Sequence, residues 1–257
     1  EFVLPVFIIY LLSVTDLLLI CVFISILILL FLPTISFILI KKLNFDSREE
    51  LSEDEKKITN IKNWTRSEVL KDYRFYIVCM NMLAMPWIAT GVFVYQSFIL
   101  SSKGWGQYVI AQSFMVYSVA SVITLFLAGF LIDKFTSRKL LIYMNIPLLL
   151  SAGVLFYFKS PISSFFFLGL IGISNGLANV LGSSTWAEIY GVKHIGSIKA
   201  LTTALMVFAT AFGTALFGTL IDKGLTIENI SIISGTYIFL SIVLLFIIKD
   251  KLNPLYQ

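Results

Sequence analysis

Apolar residues run along this chain in seven unbroken stretches, residues 17–40, 75–102, 104–132, 140–158, 160–187, 200–221 and 230–248, none containing Asp, Glu, Lys, Arg or His. Each supplies about 20 residues, the length an α-helix needs to cross the hydrocarbon core of a bilayer. The runs are continuous rather than alternating, and Leu, Ile, Phe and Ala dominate them, which predicts helices and not barrel strands. A helix also satisfies every backbone N–H and C=O within lipid. The predicted fold class is all-α, a polytopic membrane helical bundle. A further apolar piece at residues 2–15 is too short to span at ~1.5 Å per residue and is expected as the outer part of a truncated helix. Glu1 stands where a signal peptide would carry its basic leader, and no small-residue cleavage site precedes Asp16.

Polar residues are shared unevenly among these stretches. Those at 75–102, 104–132, 160–187 and 200–221 hold most of the Asn, Gln, Ser and Thr, whereas 17–40 and 140–158 are nearly pure hydrocarbon. Nonpolar helices can face lipid, while polar ones must face each other or water, so the four polar helices are expected to line something. Their polar residues fall at helical spacing. Gly172, Gly176, Asn179 and Ser183 share one face with Asn175 and Trp186 beside it; Ser113, Tyr117, Ser121 and Thr124 form a second stripe, and Thr203, Thr210 and Thr214 a third. Asn81 and Tyr95 share a face on a helix that Pro86 is expected to kink. Such stripes serve either as packing seams or as cavity lining. The substrate-cavity candidates are Asn81, Tyr95, Gln112, Tyr117, Ser121, Asn175, Asn179 and Thr210.

Composition excludes a soluble domain and a disordered chain alike: 58% of residues are hydrophobic and 13% charged. The net charge of +4 is therefore a signal of topology rather than of nucleic-acid binding. Alternate gaps between the spans hold sixteen of the nineteen basic residues; Lys103, Lys159 and Lys223 are the other three. By the positive-inside rule, residues 41–74, 133–139, 188–199 and the C-terminus are expected in the cytoplasm, with the protein in the plasma (inner) membrane. The chain divides into a front piece at 1–40, a mixed-charge cytoplasmic linker at 41–74, a six-helix bundle at 75–248 and a cytoplasmic tail at 249–257. Cys21 and Cys79 lie within apolar spans and read as core residues. The sequons at Asn63 and Asn229 take no role, because the first is cytoplasmic by this topology and the second hugs the membrane.

The bundle contains a repeat. Residues 129–134 read GFLIDK and residues 218–223 read GTLIDK, each closing the second helix of a triplet. Three helices separate the copies, which puts them on opposite sides of the membrane, the inverted arrangement of many secondary transporters.

The segment 129–140, GFLIDKFTSRKL, resembles the signature loop of the major facilitator superfamily, in which Gly-x-Leu-x-Asp-Arg-x-Gly-Arg-Arg joins two helices on the cytoplasmic side. Gly129, Leu131, Asp133, Lys134, Arg138 and Lys139 fit; Thr136 and Ser137 stand where Gly and Arg are usual. Residues 186–201, WAEIYGVKHIGSIKAL, are similar to a loop in the C-terminal half of one bacterial branch of that superfamily, and EFVLP with the Asp16 turn looks like the end of its fifth helix. The resemblance implies that the chain runs from the tail of the fifth helix through the twelfth, lacking most of the N-terminal bundle. It also implies that Gly129, Asp133, Lys134, Arg138 and Lys139 act as a conformational-switch loop. Independently of the family, Gly129 permits close helix contact and the basic trio can anchor at anionic headgroups.

The implied function is secondary active transport of a small solute by alternating access, with the bilayer, the solute, a candidate coupling proton and the missing bundle as partners. No complete span carries Asp, Glu, Lys, Arg or His; Glu1, ~20 Å of helix inward from the outer end of its fragment, is the coupling candidate. His194 is the sole histidine and has no second ligand at metal-binding spacing. A membrane-embedded enzyme would need intramembrane nucleophiles, acids or metal ligands, and none is found, so no catalytic residue, metal or cofactor is expected. The alternative is a non-transporting membrane scaffold, or a permease subunit driven by a separate ATPase.

Overall fold

The computed structural model describes residues 62–254 and, before them, isolated helical positions between residues 19 and 34. It divides into two compact units, residues 1–53 and 54–257. In the first, each described position, such as Leu19, Val22 and Leu29, is helical and exposed. The coupling candidate Glu1 lies outside the described residues.

In the second unit, α1 (Arg66–Lys71) and α2 (Tyr73–Val94) come first. A capping box starts α1, with the Thr65 N–H donating to the Glu68 carboxylate at 2.7 Å and the Glu68 N–H returning to Thr65 Oγ1. The Thr65 N–H and hydroxyl, both donating to the Glu68 carboxylate, hold it below its usual range, with Lys62 nearby. Asp72 caps α2 by accepting the Arg74 N–H at 3.0 Å. Residues 62–72, expected as part of a solvated linker, are built onto the bundle: the Trp64 N–H donates to the Tyr190 carbonyl at 3.0 Å, and the Trp64 and Tyr190 rings meet edge to face.

The predicted span 75–102 is split at Tyr95, whose φ of −99° and ψ of 24° are not helical, giving α2 and a short α3 (Gln96–Lys103). Helix α4 (Gln107–Phe135) follows a turn in which Gly104 adopts φ 68° and the Trp105 N–H closes back on the Leu100 carbonyl. After α5 (Ser137–Leu140) comes the largest departure from expectation. The span 140–158 is regular only in α6 (Ile146–Tyr157), twelve residues or about 18 Å long. Residues 140–146 are instead joined by i→i+3 turns. Pro147 lies in the first turn of α6 and has no N–H to carry a helix back through residue 143.

Helices α7 (Ser163–Tyr190), α8 (Ile195–Asp222) and α9 (Ile227–Ile248) complete the bundle, and a 3-10 turn (Lys249–Leu252) ends it. Among the described residues, five helices are long and apolar enough to cross a membrane, and no strand occurs.

The packing obeys the repeat. Helix α7 packs on α4 and on α6, α2 packs on α8 and on α9, and α6 packs on α9. Exchanging the triplet α2, α4, α6 for α7, α8, α9 maps α4–α7 onto α2–α8 and α6–α7 onto α2–α9, and leaves α6–α9 as the shared pair, as expected of two inverted triplets. Close contacts recur too. A Cβ at Gly172 of α7 would run into the Tyr117 carbonyl of α4, and one at Gly213 of α8 into the Trp87 carbonyl of α2. Only glycine lets these backbones approach.

The loops sort to two ends. At one, the linker end, the Arg74 guanidinium donates to the Lys251 carbonyl at 2.9 Å, the Ser137 N–H donates to Glu188 at 2.8 Å, and the Lys193 N–H to Asn63 Oδ1 at 3.0 Å. At the other, the far end, the buried Lys103 ammonium pairs with Glu228 at 2.7 Å and the Trp105 indole donates to the Lys159 carbonyl at 2.9 Å. The gaps that the basic residues distinguished in the sequence are thus gathered on opposite ends.

Candidate functional site

Helices α2, α4, α7 and α8, the four polar ones, enclose a cavity of about 450 Å³. From α2 come Cys79, Met82, Met85, Pro86, Thr90 and Phe93; Tyr117 comes from α4, and Met144 from the turn before α6. Asn175, Asn179, Ser183 and Trp186 of α7 and Lys199, Thr202, Thr203 and Met206 of α8 close the wall. Aromatic rings cluster at the end of the cavity away from the linker. Phe93 lies 5.3 Å from Tyr117 and 5.5 Å from Phe114, centroid to centroid, with Phe114 outside the lining. From there the wall runs to Trp186 and Lys199 at the linker end. A pocket of this size, mostly apolar with a few polar groups, is of the kind that holds a small organic molecule.

Three of the eight cavity candidates, Tyr117, Asn175 and Asn179, line the cavity. Ser121 lies behind the wall, where its hydroxyl accepts the Asn175 amide at 3.0 Å, and Asn179 donates to the Asn175 carbonyl at 2.9 Å. Asn81 is fully buried on the other side of α2, donating to the Leu141 carbonyl at 3.2 Å; its side-chain oxygen accepts from Asn145 at 3.0 Å and from Ser241 at 3.4 Å. Tyr95 stacks on Phe217 with its hydroxyl against Gly218. Gln112 is exposed on α4, and the Thr210 hydroxyl donates to the Val207 carbonyl of its own helix at 2.7 Å.

In the loop, Asp133, Lys134 and Lys139 are exposed. No described residue stands within 4 Å of a Cβ placed on Gly129, so the close helix contact expected there is not made among the described residues. Arg138 is the residue held in place: its Nε lies 3.3 Å from Glu188, and its Nη1 donates to Asn253 Oδ1 at 2.9 Å and to the Leu252 carbonyl at 3.3 Å. Thr136 adopts φ 69° and ψ 146°, a backbone region that is nearly glycine-only, at the position where the signature loop has Gly.

Sequence reasoning missed three groups. Glu188 is the acid that holds the loop, and it lay inside the second family-like segment without a role. Asn145 was passed over as part of a hydrocarbon stretch, although a lone amide just before Ile-Pro was a signal. Lys199 falls in the cytoplasmic gap 188–199, one residue before a charge-free run, so the sequence reads it as a topology signal and not as cavity lining.

Five span-length helices among the described residues, packing that repeats between two inverted triplets and a mostly apolar cavity between the polar helices define a multi-pass membrane protein of transporter type. Residues 76–255 match the model of the Major Facilitator Superfamily, and the chain belongs to that family. It is a membrane transporter of that type. A comparison with curated proteins finds no match.

Proposed function

We propose that this chain works as a secondary active transporter, not an enzyme, that moves a small solute by alternating access. The observation that carries the reading is the cavity's one-sidedness. Its lining starts at mid-span, behind the Phe93–Phe114–Tyr117 rings, and ends at Trp186 and Lys199 near the linker end. That is the form expected of a site open to one compartment at a time. Tyr117, Asn175 and Asn179 hold the solute, and Ser121 orients Asn175. The linker end, where the basic residues concentrate, faces the cytoplasm of a plasma-membrane protein.

Arg138, with Glu188 and the C-terminal tail, holds one state of the rocking cycle.

Reconstitution into proteoliposomes tests this, with uptake of radiolabelled organic acids, sugars and amino acids measured under an imposed proton gradient and without one. Accumulation of one solute class driven by the gradient alone is expected. Transport that requires an added ATPase partner, or none at all, overturns the reading.

A further inference from the structure

We infer that the cavity takes an amphipathic organic anion, its carboxylate at Lys199 and its apolar body along a methionine-lined wall. This deepens the transport reading above and rests on it. Lys199 is the only Lys, Arg, His, Asp or Glu among the side chains that line the cavity. The buried or half-buried acids at the same end are engaged elsewhere. Asp72 pairs with Arg74 at 2.8 Å and accepts the Tyr190 hydroxyl at 3.2 Å, and Glu188 pairs with Arg138 at 3.3 Å. Lys199 has no ion-pair partner among the described residues. An unpaired cation at the rim of an apolar cleft focuses its field into the cleft, drawing anions in and holding organic cations out.

The rest of the wall decides what the anion carries. Met82, Met85, Met144 and Met206 all line the cavity, and flexible, polarisable thioethers adapt to apolar bodies of varied shape. Hydrogen-bonding groups without charge, Thr90, Tyr117 and Asn175, stand at the deep end. Eleven residues of α7 separate Asn175 from the buried Trp186 toward the linker end, roughly 16 Å of helix at the usual rise. A solute with a carboxylate at one end and an apolar or neutral polar group at the other fits that distribution; a compact inorganic anion leaves most of the wall unused.

Equilibrium dialysis of the protein in lipid nanodiscs against radiolabelled phenylbutyrate, phenylbutyramide and phenylbutylamine isolates the charge, because the three share one body. The carboxylate is expected to bind about tenfold tighter than the other two. Lys199→Gln should remove that preference, Lys199→Arg should keep it, and Asn175→Leu should weaken all three alike. Equal binding of the three, tighter binding of the amine, or a preference that survives Lys199→Gln overturns the anion inference and leaves the cavity reading standing. Binding of none, by protein that remains monodisperse, overturns both.

Discussion

The Glu188 carboxylate lies 3.3 Å from the Arg138 guanidinium and also accepts the backbone N–H groups of Ser137 and Arg138, at 2.8 and 3.3 Å. One acid at the end of α7 thereby neutralises the loop's arginine and caps the helix that begins beside it. Arg138 then reaches the tail at Leu252 and Asn253, so α7, the loop and the C-terminus are held by two side chains.

Removing Glu188 therefore does more than break a partly exposed ion pair. Glu188→Ala is expected to lower stability by about 1–3 kcal/mol, because backbone donors lose their acceptor along with the charge. In a double-mutant cycle with Arg138→Ala, thermal unfolding in detergent should show a coupling of about 0.5–3 kcal/mol. Additive effects would mean that the pair does not hold the loop.

Thr136 gives the opposite sign. A β-branched residue at φ 69° is strained, and its hydroxyl is buried without a hydrogen-bond partner among the described residues. Thr136→Gly is expected to raise stability by about 1 kcal/mol, read as a higher midpoint of thermal unfolding. A lower midpoint would show that the threonine side chain contributes more than its backbone costs.

Asn81 and Asn145 are both fully buried, and the Asn145 amide donates to the Asn81 carbonyl at 2.6 Å and to its side-chain oxygen at 3.0 Å. Replacing either by Leu leaves a buried amide short of partners, at a cost of about 1–3 kcal/mol. The double replacement should cost less than the sum of the two. Thermal unfolding of the three variants measures this; full additivity would dissolve the idea of a shared knot.

Gly213 seats α8 on α2 at the Trp87 carbonyl, and the neighbour to be displaced is backbone. Gly213→Ala is expected to destabilise by about 1–3 kcal/mol. Gly182→Ala serves as the control, since no described atom lies within 4 Å of its Cβ position. Equal effects from the two would contradict the close packing.

The spans were legible because a bilayer demands long unbroken apolar runs, and α4, α7, α8 and α9 fall within a few residues of where those runs put them. The break at Tyr95 and the shortness of α6 were not, since hydropathy does not register backbone geometry. Helical spacing placed Asn81 and Tyr95 on a face without saying which neighbour that face meets. Asn81 packs on Leu141 and Asn145, whereas Asn175 and Asn179, equally periodic, face the cavity. Glu188 was illegible for a different reason: its partner lies 50 residues away in the chain, and only the fold brings them together.

Alternating access makes one direct demand on the cavity. With Cys21 and Cys79 replaced by Ser, a single cysteine at position 179 can be probed with a membrane-impermeant maleimide applied to oriented vesicles from each side in turn. The account predicts labelling from the linker side, labelling from the far side in a fraction of molecules that solute changes, and protection by bound solute. Labelling from one side only, whatever solute or gradient is present, would contradict it.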